Sequence, residues 1–459
     1  MSMMKSLPLL LILFAAARAA TPPYSCSAAD PQIQHLPFCN RTLPTLSRAR
    51  DLVSRLTLDE KIAQLVNTAD AVPRLGVPAF QWWSEALHGV AGAGKGIHFN
   101  RGRIKAATSF PQVILSAASF DAYLWYRIGQ QWRFNGYITS DCDAVAIIYE
   151  SHKYTKTPED AAADVLKAGM DIDCGLYLKK HTKSAVQQKK LATSDIDRAL
   201  RNLFAVRMRL GLFNGDPRNL PFGKIGPTEV CSQEHQNLAL EAARHGIVLL
   251  KNDAKLLPLP KSNAISLAVI GPQANADNAT TLQGNYYGPP CKSATPLQAL
   301  KSYVKNIKYQ TGCNDVACGY LDAGPALSLA KEVDYVVLVM GLDQGQEAES
   351  RDRYSLLLPG NQQKLIISVA DIAKKPVVLV LLSGGPVDIT FAKNHPKIGG
   401  ILWAGYPGEA GGTAIAEIIF GDHNPGSLLL TGHHVFSDEI LLLAADTSIS
   451  QTLATYTNQ

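Results

Sequence analysis

The sequence predicts an α/β protein in two successive parts: a series of parallel β/α units, then a second parallel-rich α/β domain. Three observations predict it. Strand-forming runs alternate with helical patterns in the first half, at Val77–Phe80, Ala106–Phe110, Tyr137–Ser140 and Met170–Asp173. That alternation is the pattern of parallel strands joined by helical crossovers. Two of these runs stop abruptly in carboxylates, at Ser140-Asp141-Cys142-Asp143 and Asp171-Ile172-Asp173-Cys174. The C-terminal end of a buried strand is where parallel folds place their chemistry. Finally, Leu212–Glu234 is rich in Gly, Pro and Asn and reads as a linker. A second series of strands follows it, at Ala264–Ile270, Tyr335–Met340, Val377–Leu382 and Ile401–Ala404.

The chain of 459 residues has room for two or three domains, and its 46% hydrophobic content supplies a sizeable core. The net charge of +5 is spread without a Lys/Arg block, so nucleic acid is not an expected partner. The first twenty residues read as a secretory signal. Lys5 is the charged end, Leu7–Ala16 the apolar run and Ala17-Arg18-Ala19 the cleavage site. The run is too short to span a bilayer, and no other membrane span is expected. In a secreted chain the eight cysteines read as disulfides rather than metal ligands. Cys26 with Cys39 closes a small loop, Cys313 and Cys318 pair or staple neighbours, and Cys142 meets Cys174 if their two strands are adjacent. Asn40-Arg41-Thr42 and Asn278-Ala279-Thr280 are glycosylation sequons. No metal and no cofactor is expected.

Taken in order, Leu46, Leu52, Val53 and Leu56 fall at helical spacing. Thr57-Leu58-Asp59-Glu60 is a capping box that opens the next helix. Val77–Gly89 then carries Trp82, Trp83, Glu85 and His88. Paired indoles beside a carboxylate suit a sugar, whose CH face stacks on rings while its hydroxyls seek charged acceptors; a core aromatic pair with a solvated Glu is the plainer reading. Gly89–Gly96 nearly matches a phosphate-binding loop, but Gly96 replaces the hydroxyl that would hold Mg²⁺, and no strong apolar strand feeds it. A helix is expected through Leu124, Trp125 and Ile128. Thr157-Pro158 starts another, which Gly169 ends, and Ser194–Arg209 is amphipathic. In the second domain, the charged run Gly341–Arg353 follows a strand directly. Gly405–Gly412 is a glycine-rich turn opening a helix.

Together, Trp82–Gly89, Ala107–Gln112, Asn135–Asp143, Ala168–Gly175, Gly341–Arg353 and Ala404–Gly412 resemble the motifs of glycoside hydrolase family 3. They most resemble its plant β-D-xylosidase/α-L-arabinofuranosidase branch. The resemblance implies a (β/α)8 barrel followed by an α/β sandwich, acting on xylo-oligosaccharide or arabinosyl-decorated cell-wall glycan, extracellular in the cell wall or apoplast. It implies retaining chemistry with Asp141 as nucleophile and Glu349 as acid/base. Glu347 is the weaker choice for that role, because Glu349 stands at the family's usual distance before Asp352-Arg353. Glu85, Trp83 and His88 would bind the sugar.

The chain departs from the family in its middle. Ala20–Leu212 is shorter than the ~200 residues that a (β/α)8 barrel rarely goes below. Where Gln130 meets Gln131, a long segment with the middle strands, an arginine motif and a Lys-His pair has no counterpart. An incomplete barrel with an open sheet is therefore expected, and with it impaired activity of β-D-xylosidase type; the alternatives are a non-catalytic carbohydrate-binding or regulatory remnant, or an α-L-arabinofuranosidase. The expected division is a signal over 1–20, a barrel-derived domain over 21–211, a linker over 212–234, the sandwich over 235–426 and a divergent tail over 427–459. The fibronectin-type domain that often follows is not seen.

Overall fold

The computed structural model describes residues 24–27, 30–95, 98–100, 103–119, 136–276 and 280–425. The expected signal, the junction at Gln130-Gln131, the helix through Leu124 to Ile128, Asn278 and the tail lie outside them. The chain divides into two compact units. One comprises residues 1–82 with 135–224, and the other 83–134 with 225–459.

In the first unit the helices Thr45–Arg55, Pro158–Lys167, Tyr177–Gln187 and Thr193–Arg209 enclose a core with Leu52, Leu166, Leu178, Leu200 and Phe204 fully or almost fully buried. Sequence sets their ends. Thr57 and Glu60 form the capping box of the Leu58–Ala63 helix, and Thr157 caps the Pro158–Lys167 helix through the Asp160 amide. The strands are short. β1 (Thr68–Ala69) pairs antiparallel with β2 (Phe80–Gln81). Single parallel bridges join Val66 to Asp173 and Ile172 to Thr139. Residues 170–173 thus lie between the other two segments in a narrow parallel ladder, and no closed barrel is seen among the described residues.

The second unit holds a six-stranded sheet in the order β3-β8-β7-β6-β4-β5. Its strands are β3 (Val248–Asn252), β4 (Ser266–Ile270), β5 (Asn306–Gln310), β6 (Tyr335–Gly341), β7 (Val377–Leu382) and β8 (Ile398–Trp403). β4 to β8 run parallel, and β3 is antiparallel at the edge. β6 and β7 are buried on both faces, which is why they read as unbroken Val/Leu runs. Leu338, Met340, Leu379 and Leu381 face helices Ala323–Glu332 and Gln362–Ile372. Val337, Val339, Val378 and Val380 face helices Gln233–Gly246 and Gly411–Phe420.

Two expectations are corrected here. Ala106–Phe110 forms no strand. It is an extended segment whose Ala107 and Phe110 amides donate to the carbonyls of Pro289 and His88. It packs, with the rest of 83–119, in the second unit rather than in the barrel-derived part. The edge strands β3 and β5 carry no long apolar run, so they escaped the sequence reading.

Candidate active site

In the first unit the segment ending in Asp141 is fixed along its length. Below it, the buried Asp171 accepts from the Ile138 amide at 3.0 Å, from Arg198 Nη1 at 2.7 Å and from Asn202 at 3.1 Å. Ser140 donates its amide to Ile172 O at 3.0 Å. Its hydroxyl donates to Asp173 at 3.3 Å and accepts from the Cys174 amide at 2.9 Å. Asn67 accepts from the Gly175 amide. Burial pushes the carboxyls of Asp171 and Asp173 up; for Asp171 it outweighs the opposing Arg198 contact. Above them Asp141 is exposed, and its Oδ1 accepts a short bond from the next amide, Cys142 N, at 2.7 Å. The Cys142–Cys174 disulfide, with Cα atoms 4.3 Å apart, ties this end to the neighbouring segment. Asp143 takes a left-handed conformation (φ 61°) and turns the chain into the Ala144–Glu150 helix. Behind the segment, Trp82 meets Phe80 and Tyr137 edge-on, each at 4.7 Å between ring centroids. Asn67 and Arg198 were not singled out from sequence; nothing in their local pattern marks them.

In the second unit the charged run leaves β6 through Gly341 and forms a loop at the strand's C-terminal end. Asp343 accepts from the Gly345 amide, and Arg351 donates to Gly345 O, both at 2.7 Å. A tight turn closes between Ala348 and Arg351, with Ser350 at φ 61°, and places Glu349 exposed at its tip. Glu347 is oppositely placed. Its Oε1 accepts from the Gly384 amide at 2.7 Å and Tyr406 Oη at 2.6 Å. Its Oε2 accepts from the Gly385 amide at 3.0 Å and Arg353 Nη1 at 3.4 Å. Beside this loop lies a cavity of about 570 Å³ lined by Glu347, Arg351, Arg353, Tyr354 and Pro386.

Of the expected sugar ligands, Trp83 Nε1 donates to Glu85 Oε1 at 2.8 Å, and Glu85 stays partly exposed. His88 does not fit that role. It is buried, with Nδ1 2.9 Å from Phe110 O and Nε2 3.0 Å from Asn285 O, so neither nitrogen is presented outward. The structure pairs Cys26–Cys39, Cys142–Cys174, Cys313–Cys318 and also Cys231–Cys291. The last pair was not anticipated, because sixty residues separate its members. Asn40 is exposed and accepts from the amide and hydroxyl of its sequon partner Thr42.

Residues 247–438 match the Glycosyl hydrolase family 3 C-terminal domain. The chain is 49% identical to probable beta-D-xylosidase 7 of Arabidopsis thaliana, covering 93% of this chain and 75% of the relative. The chain belongs to glycoside hydrolase family 3. That alignment runs over 581 positions, more than the 459 residues of this chain, so stretches of the relative have no counterpart here. Beta-xylosidase/alpha-L-arabinofuranosidase 2 from Medicago sativa subsp. varia is 37% identical, covering 88% of this chain and 71% of the relative. Among solved structures, a GH3 exo-beta-xylosidase in complex with a xylobiose aziridine activity-based probe matches at a TM-score of 0.74 and 26% identity. That match covers 88% of this chain and 70% of the other.

Proposed function

We propose that this family 3 chain is a retaining glycosidase of β-D-xylosidase type, hydrolysing O-glycosyl bonds of xylo-oligosaccharides, with its turnover lowered by the missing barrel segment. The observation that carries the reading is the 49% identity to a β-D-xylosidase relative over nearly the whole chain. The site chemistry supports it. Asp141 attacks the anomeric carbon and displaces the leaving oxygen, which takes a proton from Glu349. Glu349, now a carboxylate, removes a proton from water, whose oxygen attacks the same carbon and releases Asp141. Such a pair works at ~5–5.5 Å in retaining enzymes. Glu349 suits the proton-transfer role better than Glu347, whose two oxygens already accept four bonds. Glu85 and Trp83 bind hydroxyls and the ring face of the sugar. The chain is secreted to the cell wall, with glycan on Asn40 and Asn278.

Turnover is low because preorganised donors in the middle segment are missing. Removing one such donor typically costs ~10²–10³ in rate, and about 1 Å of misplacement can cost ~10². One observation favours a second reading, a non-catalytic carbohydrate-binding remnant: the stretches of the relative that have no counterpart in this chain. The test compares aryl xylosides, arabinosides and glucosides. Slow xyloside turnover, on the order of 10² or more below an intact relative and absent in Asp141→Asn, is expected. A preference for glucosides would sink the xylosidase assignment. Binding of xylo-oligomers with no turnover of any substrate would favour the second reading.

A further inference from the structure

We infer that Glu347 and Tyr406 are positioning residues that hold the Glu349 loop in its working form, an inference that rests on Glu349 being the acid/base. Glu349 sits at the tip of a turn, so its place depends on what fixes the turn's base. The turn's own closure is weak: the Arg351 amide reaches Ala348 O at 3.0 Å, but the reverse bond is 3.4 Å. Two residues before Glu349, the Glu347 side chain enters the protein and is 16% exposed. There it meets groups from two other strand ends. The Gly384 and Gly385 amides follow β7, and Tyr406 follows β8. The loop from β6 is therefore pinned to the ends of β7 and β8 through one carboxylate.

The fit is close. A Cβ on Gly385 would lie 2.7 Å from Glu347 Oε2, and one on Gly384 would lie 2.9 Å from the Tyr406 ring and 3.4 Å from Glu347 Oε1. Only glycines let both amides approach. Tyr406 is buried, and burial followed by the Glu347 charge pushes its hydroxyl far up, so it remains a donor at any working pH. Tyr406 is itself held from the other side. Its carbonyl accepts from the Gln112 amide at 2.9 Å, and Gln112 Nε2 donates to Asn285 O, the same carbonyl that His88 meets. One hydrogen-bonded frame within the second unit thus reaches from the acid/base loop to the turn carrying Trp83 and Glu85.

Glu347→Gln tests this, because the amide keeps the shape but turns an acceptor into a donor facing a backbone N–H. Tyr406→Phe removes one bond alone. A displaced acid/base harms substrates that need protonation and spares those that do not. Acid/base groups contribute ~10²–10⁴, so the ratio of kcat/KM for dinitrophenyl xyloside over phenyl xyloside should rise about tenfold or more in Glu347→Gln, and less in Tyr406→Phe. Amide exchange at Ala348 and Arg351 should rise about tenfold while the β6 amides stay protected. An unchanged ratio with unchanged exchange overturns the inference. So does an equal loss on both xylosides with faster exchange throughout the sheet, which marks a merely structural role. Azide trapping of a β-xylosyl azide in Glu347→Gln but not in Glu349→Gln overturns it too, since Glu347 would then be the acid/base itself. If the parent chain turns over neither xyloside, the proposed function fails, and the exchange arm still decides whether Glu347 anchors the loop.

Discussion

Glu347 and Glu349 are the same residue type two positions apart, yet their surroundings differ: Glu347 accepts four hydrogen bonds and Glu349 is exposed. Buried carboxyls elsewhere show the same control by environment. Glu409 is buried, and its Oε2 accepts from the Ser109 amide at 3.1 Å and the Cys291 amide at 3.0 Å. Desolvation nonetheless dominates and pushes its carboxyl up. The native state then binds this proton more tightly than the unfolded chain. The resulting stability is fully present below the ordinary value of about 4.3 and is lost as pH rises through the raised native one. Glu60 is the opposite case: hydrogen bonding from Arg74 lowers it to about 2. Its contribution is present above the ordinary carboxyl range and is lost as pH falls towards about 2. Glu409→Gln should therefore melt closer to the parent, or above it, at neutral pH than at about pH 4, as followed by melting curves across that range. A gap that widens with rising pH would contradict the burial argument.

At the scale of elements, the Glu349 loop depends on how β6 ends. Gly341 has φ 143°, and a Cβ there would collide with the Leu382 carbonyl oxygen of β7. Its amide and carbonyl are both satisfied by the buried side chain of Gln362, at 2.9 and 2.8 Å. The chain can thus leave the sheet without orphaned backbone groups. Gly341→Ala should destabilise the protein by more than about 2 kcal/mol, combining the ~1–2 kcal/mol of a left-handed residue with the collision. The midpoint of urea unfolding reads this directly, and a shift within error would show that the strand end relaxes freely. The same geometry separates the two classes of strand in this protein. β6 and β7 are held on both sides and both faces, whereas the Asp141 segment makes single bridges and relies on side chains and the Cys142–Cys174 link.

At the scale of the whole chain, the two units are not consecutive halves. Residues 83–119 lie in sequence within the barrel-derived part, yet they bond to the second unit. Gly92 N donates to Tyr287 O at 3.2 Å, Ala107 N to Pro289 O at 3.0 Å and Gln112 N to Tyr406 O at 2.9 Å. The linker region is a series of short 3-10 turns, Pro217–Asn219, Pro221–Lys224 and Pro227–Glu229. Limited proteolysis should cut within Leu212–Glu234, ahead of the Cys231–Cys291 bridge, so that no disulfide joins the fragments. The two fragments should nevertheless co-elute in buffer and part only in denaturant, because one of them contributes 83–119 to the other's unit. Fragments that separate in buffer, or a first cut inside Tyr335–Ala404, would refute this.

The sequence alone determined the class of the fold, the family and the candidate pair. Apolar runs mark β4, β6, β7 and β8, and in β6 and β7 they are unbroken Val/Leu because a strand buried on both faces has no polar position to interrupt it. Asp141 stood out because a strand-forming run stops there, whereas Glu349, eight residues beyond the end of β6, was picked out by the family resemblance of its charged loop. Caps at Thr57 and Thr157 were equally plain, since capping is a matter of residues three apart. Tertiary structure decided what depends on distant partners. Residues 106–110 have strand-forming character but pair with no strand, because their hydrogen bonds go to Pro289, His88 and Glu409. His88 reads as a ligand until two backbone carbonyls, one of them 197 residues away, are seen to hold it. Glu347 became an anchor only when Gly384, Gly385 and Tyr406 met it. Local pattern reports what a residue can do; the groups brought to it across the fold leave it one role among those.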